Sequence, residues 1–132
     1  MDEAHTSHFV EHLTGSERVF FFNELYRVLK PGAAVQIIVP AWSHERAYGD
    51  PTHQWPPCSG WLALYLNKAW RDVNAPHAGY TCDFGWTSSG TWDEWLSPRS
   101  MDTKIFAMQR YINSTSDIIF NLTKPKPAAP AP

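Results

Sequence analysis

VFFFNELYRVLKPGAAVQIIVP, residues 19–40, decides the fold, because it predicts a helix, a tight turn and a buried strand in immediate succession. The helix is predicted over residues 14–30. Thr14 can cap its first turn, and Glu17, three residues on, completes a capping box. Apolar residues then recur at helical spacing, which gives the helix one apolar face; they are Phe22, Leu25, Tyr26 and Leu29.

Pro31 and Gly32 end this helix, because proline lacks the backbone N–H group and glycine accepts left-handed backbone angles. The strand that follows, residues 34–40, is rich in β-branched residues and almost continuously apolar. Such a run is typical of a parallel strand that is covered on both faces, so the segment favours an α/β fold.

Residues 22–32, FNELYRVLKPG, resemble the E-x-x-R-V-L-K-P-G-G segment of class I S-adenosylmethionine-dependent methyltransferases. In that family the segment is the helix and turn that lead into the fifth strand of a seven-stranded sheet. Residues 8–13, HFVEHL, resemble the E-H-L that follows the family's fourth strand. The two motifs stand in the family's order and separation, and the resemblance is strongest over residues 2–57.

The resemblance implies a truncated Rossmann-like methyltransferase sheet, made of the fourth to seventh strands with flanking helices. Residues 2–7 would be the fourth strand, and the final strand would run antiparallel between the fifth and sixth. We therefore expect residues 1–124 to be a partial methyltransferase domain. Residues 125–132, rich in proline and alanine, are expected to be a disordered tail.

Composition excludes several classes of function. The chain has 132 residues, a formal charge of −2 and a pI near 6.3, so it carries no electrostatic signature of a nucleic-acid or anionic-membrane protein. No apolar run is long enough to span a membrane and no signal peptide is visible. Cys58 and Cys82 lack metal-ligand spacing and are expected to be free thiols. These observations predict a cytoplasmic protein.

The connection after the buried strand, residues 41–57, carries an unusual density of polar and aromatic side chains. It leaves the carboxyl end of a parallel strand, where open α/β sheets bind their ligands. We expect it to contact a methyl acceptor, whose identity the sequence does not specify. The predicted substrate-binding residues are Trp42, His44, Arg46, His53 and Trp55. The alternative is a solvated loop in which Arg46 pairs with Glu45 or Asp50.

Methyl transfer to an oxygen or nitrogen requires the removal of a proton, and histidine suits that role near neutral pH. The candidate bases are His8, with His44 and His53 in the connection after the buried strand. The resemblance implies S-adenosylmethionine as the cofactor, with Ser7 and His8 on its side of the cleft. The family's Gly-rich loop and ribose-binding acid have no counterpart here, because all seven glycines are isolated. We therefore expect this chain alone to bind the cofactor weakly or not at all.

Residues 8–12, HFVEH, also fit H-x-x-E-H, an inverted zinc-protease pattern in which two histidines bind metal and Glu11 acts as base. No third ligand is marked downstream, and the methyltransferase motif accounts for the same residues. We therefore expect no metal. On that interpretation, His8 and His12 simply close the loop between strand and helix.

The rest of the chain predicts a helix over residues 59–70, a strand over 80–86, a loop over 87–99, a helix over 101–112 and a last strand over 117–124. Seven tryptophans fit either ordinary packing or an aromatic-lined cleft.

Two functions stay open. The first is methyl transfer by the C-terminal part of a methyltransferase. The second is a non-catalytic fragment or interaction module from a split or truncated methyltransferase gene. Such a module would have a partner chain, or self-associate, through the exposed edge of the strand at residues 2–7.

Overall fold

The computed structural model describes residues 1–131; Pro132, the end of the predicted tail, lies outside them. The chain folds as an α/β protein with one four-stranded mixed sheet. In chain order its strands and helices are β1 (Glu3–Ser7), a 3-10 turn (Val10–His12), α1 (Gly15–Val28), β2 (Ala34–Pro40), α2 (Arg46–Gly49), α3 (Trp61–Leu66), α4 (Lys68–Asn74), β3 (Gly85–Trp92), α5 (Met101–Arg110) and β4 (Thr115–Thr123).

The sheet order is β1-β2-β4-β3, so the last strand of the chain lies between the second and third. β1 and β2 are parallel, with Ser7 opposite Ile38. β4 runs antiparallel to both of its neighbours and places Phe120 opposite Ile37. This order confirms the expected position of an antiparallel final strand, and it leaves β1 at an edge of the sheet.

Helix α1 begins as the sequence predicts. The backbone N–H of Glu17 donates to the Thr14 hydroxyl at 3.3 Å, and the backbone N–H of Thr14 donates to the Glu17 carboxylate at 2.8 Å. At the other end of the connection, Gly32 has φ +86°, a left-handed angle that glycine adopts without strain. The chain can therefore turn at once into β2, whose bounds are those predicted.

The core lies between the sheet and the helices on its face. It is built mainly from α1 and the two central strands, together with the segment that precedes β3. Its largest fully buried side chains include Phe22, Ile37, Phe84, Phe120 and Leu122. Both cysteines are free and buried, and burial raises the pKa of each thiol to about 11, so neither ionises near neutral pH.

One predicted helix is in fact two. The segment 59–70 breaks at Asn67, which has extended backbone angles and whose side chain accepts a hydrogen bond from the N–H of Trp70. Asparagine is a favoured N-cap, so it starts α4 instead of continuing α3.

The prediction for residues 80–99 is wrong over residues 80–84 and 87–92, whereas residues 85–86 are in a strand and residues 93–99 in a loop, as predicted. Residues 80–84 lie outside the sheet, and β3 runs through the polar segment that was expected to be a loop. The backbone of β3 pairs along β4, which makes it an edge strand with mostly exposed side chains. An edge strand is held mainly by its backbone hydrogen bonds and can have polar side chains. The alternation of apolar and polar residues that predicts other strands is therefore missing from β3.

None of the helices in residues 1–131 is long and apolar enough to cross a lipid bilayer.

Candidate functional site

A cleft of about 390 Å³ lies at the carboxyl ends of the parallel strands β1 and β2. The chain leaves β1 through the 3-10 turn at Val10–His12, and it leaves β2 through the connection that contains α2. Polar side chains from these two segments face each other across the cleft. The residues that line it are His8, Glu11, His12, Pro40, Arg46, Gly49, Asp50 and His53.

Backbone contacts fix the two walls. The N–H of His8 donates to the carbonyl of Ile38 at 2.9 Å, and His8 itself has φ 54°, a left-handed angle that is uncommon for a residue with a side chain. The N–H of Gln54 donates to the carbonyl of Glu11 at 2.8 Å. The connection after β2 is thereby attached to the turn after β1, and His53 comes to lie beside His12.

Asp117, near the start of β4, lies between His8 and Arg46. Its carboxylate oxygens are 3.8 Å from His8 Nε2 and 3.5 Å from Arg46 Nη1. Arg46 is about half exposed, so this pair contributes little stability and leaves the guanidinium free to contact a ligand. Arg46 therefore pairs with Asp117, and not with Glu45 or Asp50 as in the alternative considered from the sequence.

A small hydrogen-bonded group joins the connection after β2 to the turn after β1. The Thr52 hydroxyl donates to Asp50 at 2.7 Å and lies 3.0 Å from His12 Nδ1. The hydrogen bond from the Thr52 hydroxyl, followed by that from its backbone N–H, lowers the pKa of Asp50, which is therefore ionised near neutral pH. The rings of His12 and His53 meet edge to face with centroids 4.8 Å apart.

Glu11 is the least exposed of these charged groups, with 4% of its surface accessible. Neither carboxylate oxygen has a hydrogen-bond partner within residues 1–131. The nearest nitrogens are His8 Nδ1 at 3.5 Å and His12 Nε2 at 4.0 Å, both measured to Oε1. A buried carboxylate without close partners is costly, so the cleft favours a cation beside Glu11.

The structure brings together some of the site residues predicted from the sequence. His8, Arg46 and His53 line the cleft, and Ser7 ends β1 next to it. His44 lies outside the lining, and its Nδ1 accepts a hydrogen bond from the N–H of Arg46. Trp42 and Trp55 are exposed and also lie outside the lining.

Sequence reasoning did not select Asp50 or Asp117 as part of this site. Asp50 sits in simple turn sequence, and Asp117 contacts the lining residues His8 and Arg46 only because β4 inserts next to β2. Glu11 and His12 did carry a signal, the H-x-x-E-H pattern, but the sequence offered no reason to connect it with His53.

A second and larger cavity, of about 620 Å³, lies between α1, α3 and the loop before β3. Its walls are mostly apolar and include Trp61 and Tyr65, whose rings both contact Trp70. Of the acidic and imidazole side chains that line these two cavities, however, most line the smaller cleft. In the larger cavity the guanidinium of Arg18 already donates to three carbonyls, and burial raises the pKa of Tyr80 to about 12.

All seven tryptophans lie in the described part of the chain, and none of them is buried. Only Trp61 is among the residues that line the larger cavity. The tryptophans therefore make neither a common core nor a single aromatic-lined cleft.

No family model and no curated protein matches this sequence. Among solved structures, the chain is similar to a SAM-dependent methyltransferase from Archaeoglobus fulgidus, with a TM-score of 0.60 and 18% sequence identity. The similarity covers 94% of this chain and 59% of that one, so the chain spans less than two thirds of the length of its structural neighbour. The chain thus has an α/β fold with a four-stranded mixed sheet that resembles a methyltransferase fold.

Proposed function

We propose that this chain forms the acceptor side of an S-adenosylmethionine-dependent methyltransferase. In this proposal β1, β2, β3 and β4 correspond to the family's fourth, fifth, sixth and seventh strands. The observation that carries the proposal is the sheet order, with an antiparallel last strand inserted between β2 and β3. The similarity to a solved methyltransferase supports it at the level of the fold.

The cleft at the ends of β1 and β2 is the proposed acceptor site. Arg46 is a fixed cation with several N–H donors, suited to a carboxylate or phosphate on the acceptor. His8 would accept the acceptor's proton, and Asp117, 3.8 Å from His8 Nε2, would stabilise the imidazolium that forms. His53, on the opposite wall, would position the acceptor from the other side.

The cofactor would supply an electrophilic methyl group. The described residues fit only one side of such a molecule, because Ser7 and His8 reach the cleft edge but the chain's seven glycines form no G-x-G loop. The role left to these residues is to hold and orient the acceptor and to take up its proton.

Calorimetry with S-adenosylmethionine tests how much of the cofactor site these residues supply. We expect no saturable heat at micromolar cofactor, because neither the Gly-rich turn nor the ribose-binding acid is among the 132 residues. Micromolar affinity would contradict the assignment of this chain to the acceptor side. Circular dichroism on the same sample, together with cooperative thermal unfolding, is the control for a folded chain.

An interaction module is the second candidate, and the free edge of β1 favours it. An edge strand of five residues offers backbone groups to which another strand can add. The occupant would be a second copy or a partner chain. On this account the chain shows no response to cofactor even at millimolar concentration, and its sedimentation coefficient rises with protein concentration.

A further inference from the structure

A cluster of three potential metal ligands in the cleft consists of Glu11, His12 and His53. Each of the three offers one potential ligand atom, and these atoms all lie within 4.8 Å of one another. The sequence argument against a metal rested on the lack of a third ligand for the H-x-x-E-H pattern. The fold provides a different set of three, without His8, because the backbone hydrogen bond from Gln54 to Glu11 places His53 next to His12.

The carboxylate of Glu11 is directed into this cluster. Only 4% of the surface of Glu11 is exposed, and no group in residues 1–131 donates a hydrogen bond to its carboxylate. Burial of an ionised carboxylate is strongly unfavourable unless a cation or several donors compensate it. The side chain therefore behaves as a ligand that faces its binding site.

Both imidazoles present a free Nε2. His53 Nδ1 is 3.0 Å from the carbonyl of Ala47, and since a carbonyl only accepts, Nδ1 carries the proton. His12 Nδ1 is 3.0 Å from the Thr52 hydroxyl, whose own proton goes to Asp50, so His12 Nδ1 must also donate. Histidines that bind metals commonly have one nitrogen fixed in this way, which leaves the other as the ligand.

The spacing is close to that of a metal site. Metal–ligand bonds of about 2.1 Å in tetrahedral geometry separate the ligand atoms by roughly 3.4 Å. Since the ligand atoms of this cluster lie within 4.8 Å of one another, the widest separation has to shorten by about 1.4 Å. Of the three side chains, His12 is 36% exposed and has the most room to rotate toward the other two. Asp50 Oδ2, 3.7 Å from His53 Nε2, adds a second negative charge beside the site.

We propose that Glu11, His12 and His53 bind a divalent transition-metal cation, with a remaining coordination position open to the cleft. Two imidazole nitrogens and one carboxylate suit zinc or ferrous iron, whereas magnesium prefers a set of oxygen ligands. The proposal stands on the geometry of the cluster and does not depend on methyl transfer. The competing account is a protonated His12 that pairs with Glu11 and needs no metal.

Isothermal titration of the chelator-treated chain with zinc chloride tests the proposal. We expect one equivalent of zinc to bind, with affinity reduced at least about tenfold in His53→Ala and in His12→Ala. Zinc should also raise the melting temperature of the wild-type chain, because it binds only the folded state. Magnesium chloride should not saturate the chain at the concentrations where zinc does.

The matched control is the double variant His5→Ala/His77→Ala, which removes two exposed histidines outside the cluster and should bind zinc as the wild type does. If an alanine variant does not fold, Glu11→Gln, which keeps the side-chain shape, replaces it. No stoichiometric zinc in the wild type would overturn the proposal. Binding that needs His8 and His12 but survives His53→Ala would overturn the assignment of His53.

Discussion

Replacing Phe22 with alanine is expected to lower the free energy of unfolding by about 3–5 kcal/mol. Phe22 lies on the inner face of α1, with 0% of its surface exposed, in the cluster that joins this helix to the sheet. The loss combines the transfer of apolar surface to water in the unfolded chain with the cavity that the truncated side chain leaves. Urea unfolding monitored by circular dichroism measures it.

Phe20→Ala is the matched control, because it makes the same chemical change two residues away on the same helix. Phe20 is 70% exposed, so its replacement should change stability by no more than about 0.5 kcal/mol. The two variants share the same change in helix propensity, so their difference isolates burial. Equal effects would mean that α1 does not pack on the sheet through this face.

The second large effect is expected at Arg18, which is 5% exposed although it is charged. Its guanidinium donates to the carbonyls of Val10 at 3.2 Å, Pro56 at 2.7 Å and Gln54 at 3.3 Å. Arg18→Ala leaves these acceptors without their donor and opens a void. We expect a loss of about 3 kcal/mol, measured by urea unfolding.

Arg27→Ala is the control for charge and helix context. Arg27 is an exposed residue on the same helix that pairs with Glu24 at 2.8 Å, and such a pair is worth about 0.2–1 kcal/mol.

Arg18 also joins the turn after β1 to the end of the connection after β2, so its loss should loosen the cleft. If Arg18→Ala were no more harmful than Arg27→Ala, these three hydrogen bonds would not hold the segments together.

Local signals explain why residues 14–40 could be predicted closely. The capping box at Thr14, the turn at Gly32 and the apolar run of β2 each specify a conformation within a few residues. The opposite holds for β3, whose polar residues form a strand only because β4 lies alongside with its backbone groups available. Nothing in the sequence of residues 85–92 indicates that β4 will pair with them.

The candidate site could likewise be predicted only where local sequence determines it. The sequence placed Arg46 and His53 in a connection that follows a parallel strand, and the expectation of a ligand cleft at that edge came from topology. It could not reveal that His53 meets His12, or that Asp117 reaches His8, because each pair depends on long-range pairing of the chain. The buried state of Glu11 likewise follows from tertiary packing and not from its neighbours in sequence.

The most direct test of the proposed function is an NMR titration of the isotope-labelled chain with S-adenosylhomocysteine at millimolar concentration. The account predicts weak, fast-exchange shift changes that are confined to residues 7–12 and to the end of β2 with the connection after it. Changes centred on Trp61 and Tyr65, in the larger cavity, would contradict it. The absence of any change while the chain remains folded would favour the interaction module instead.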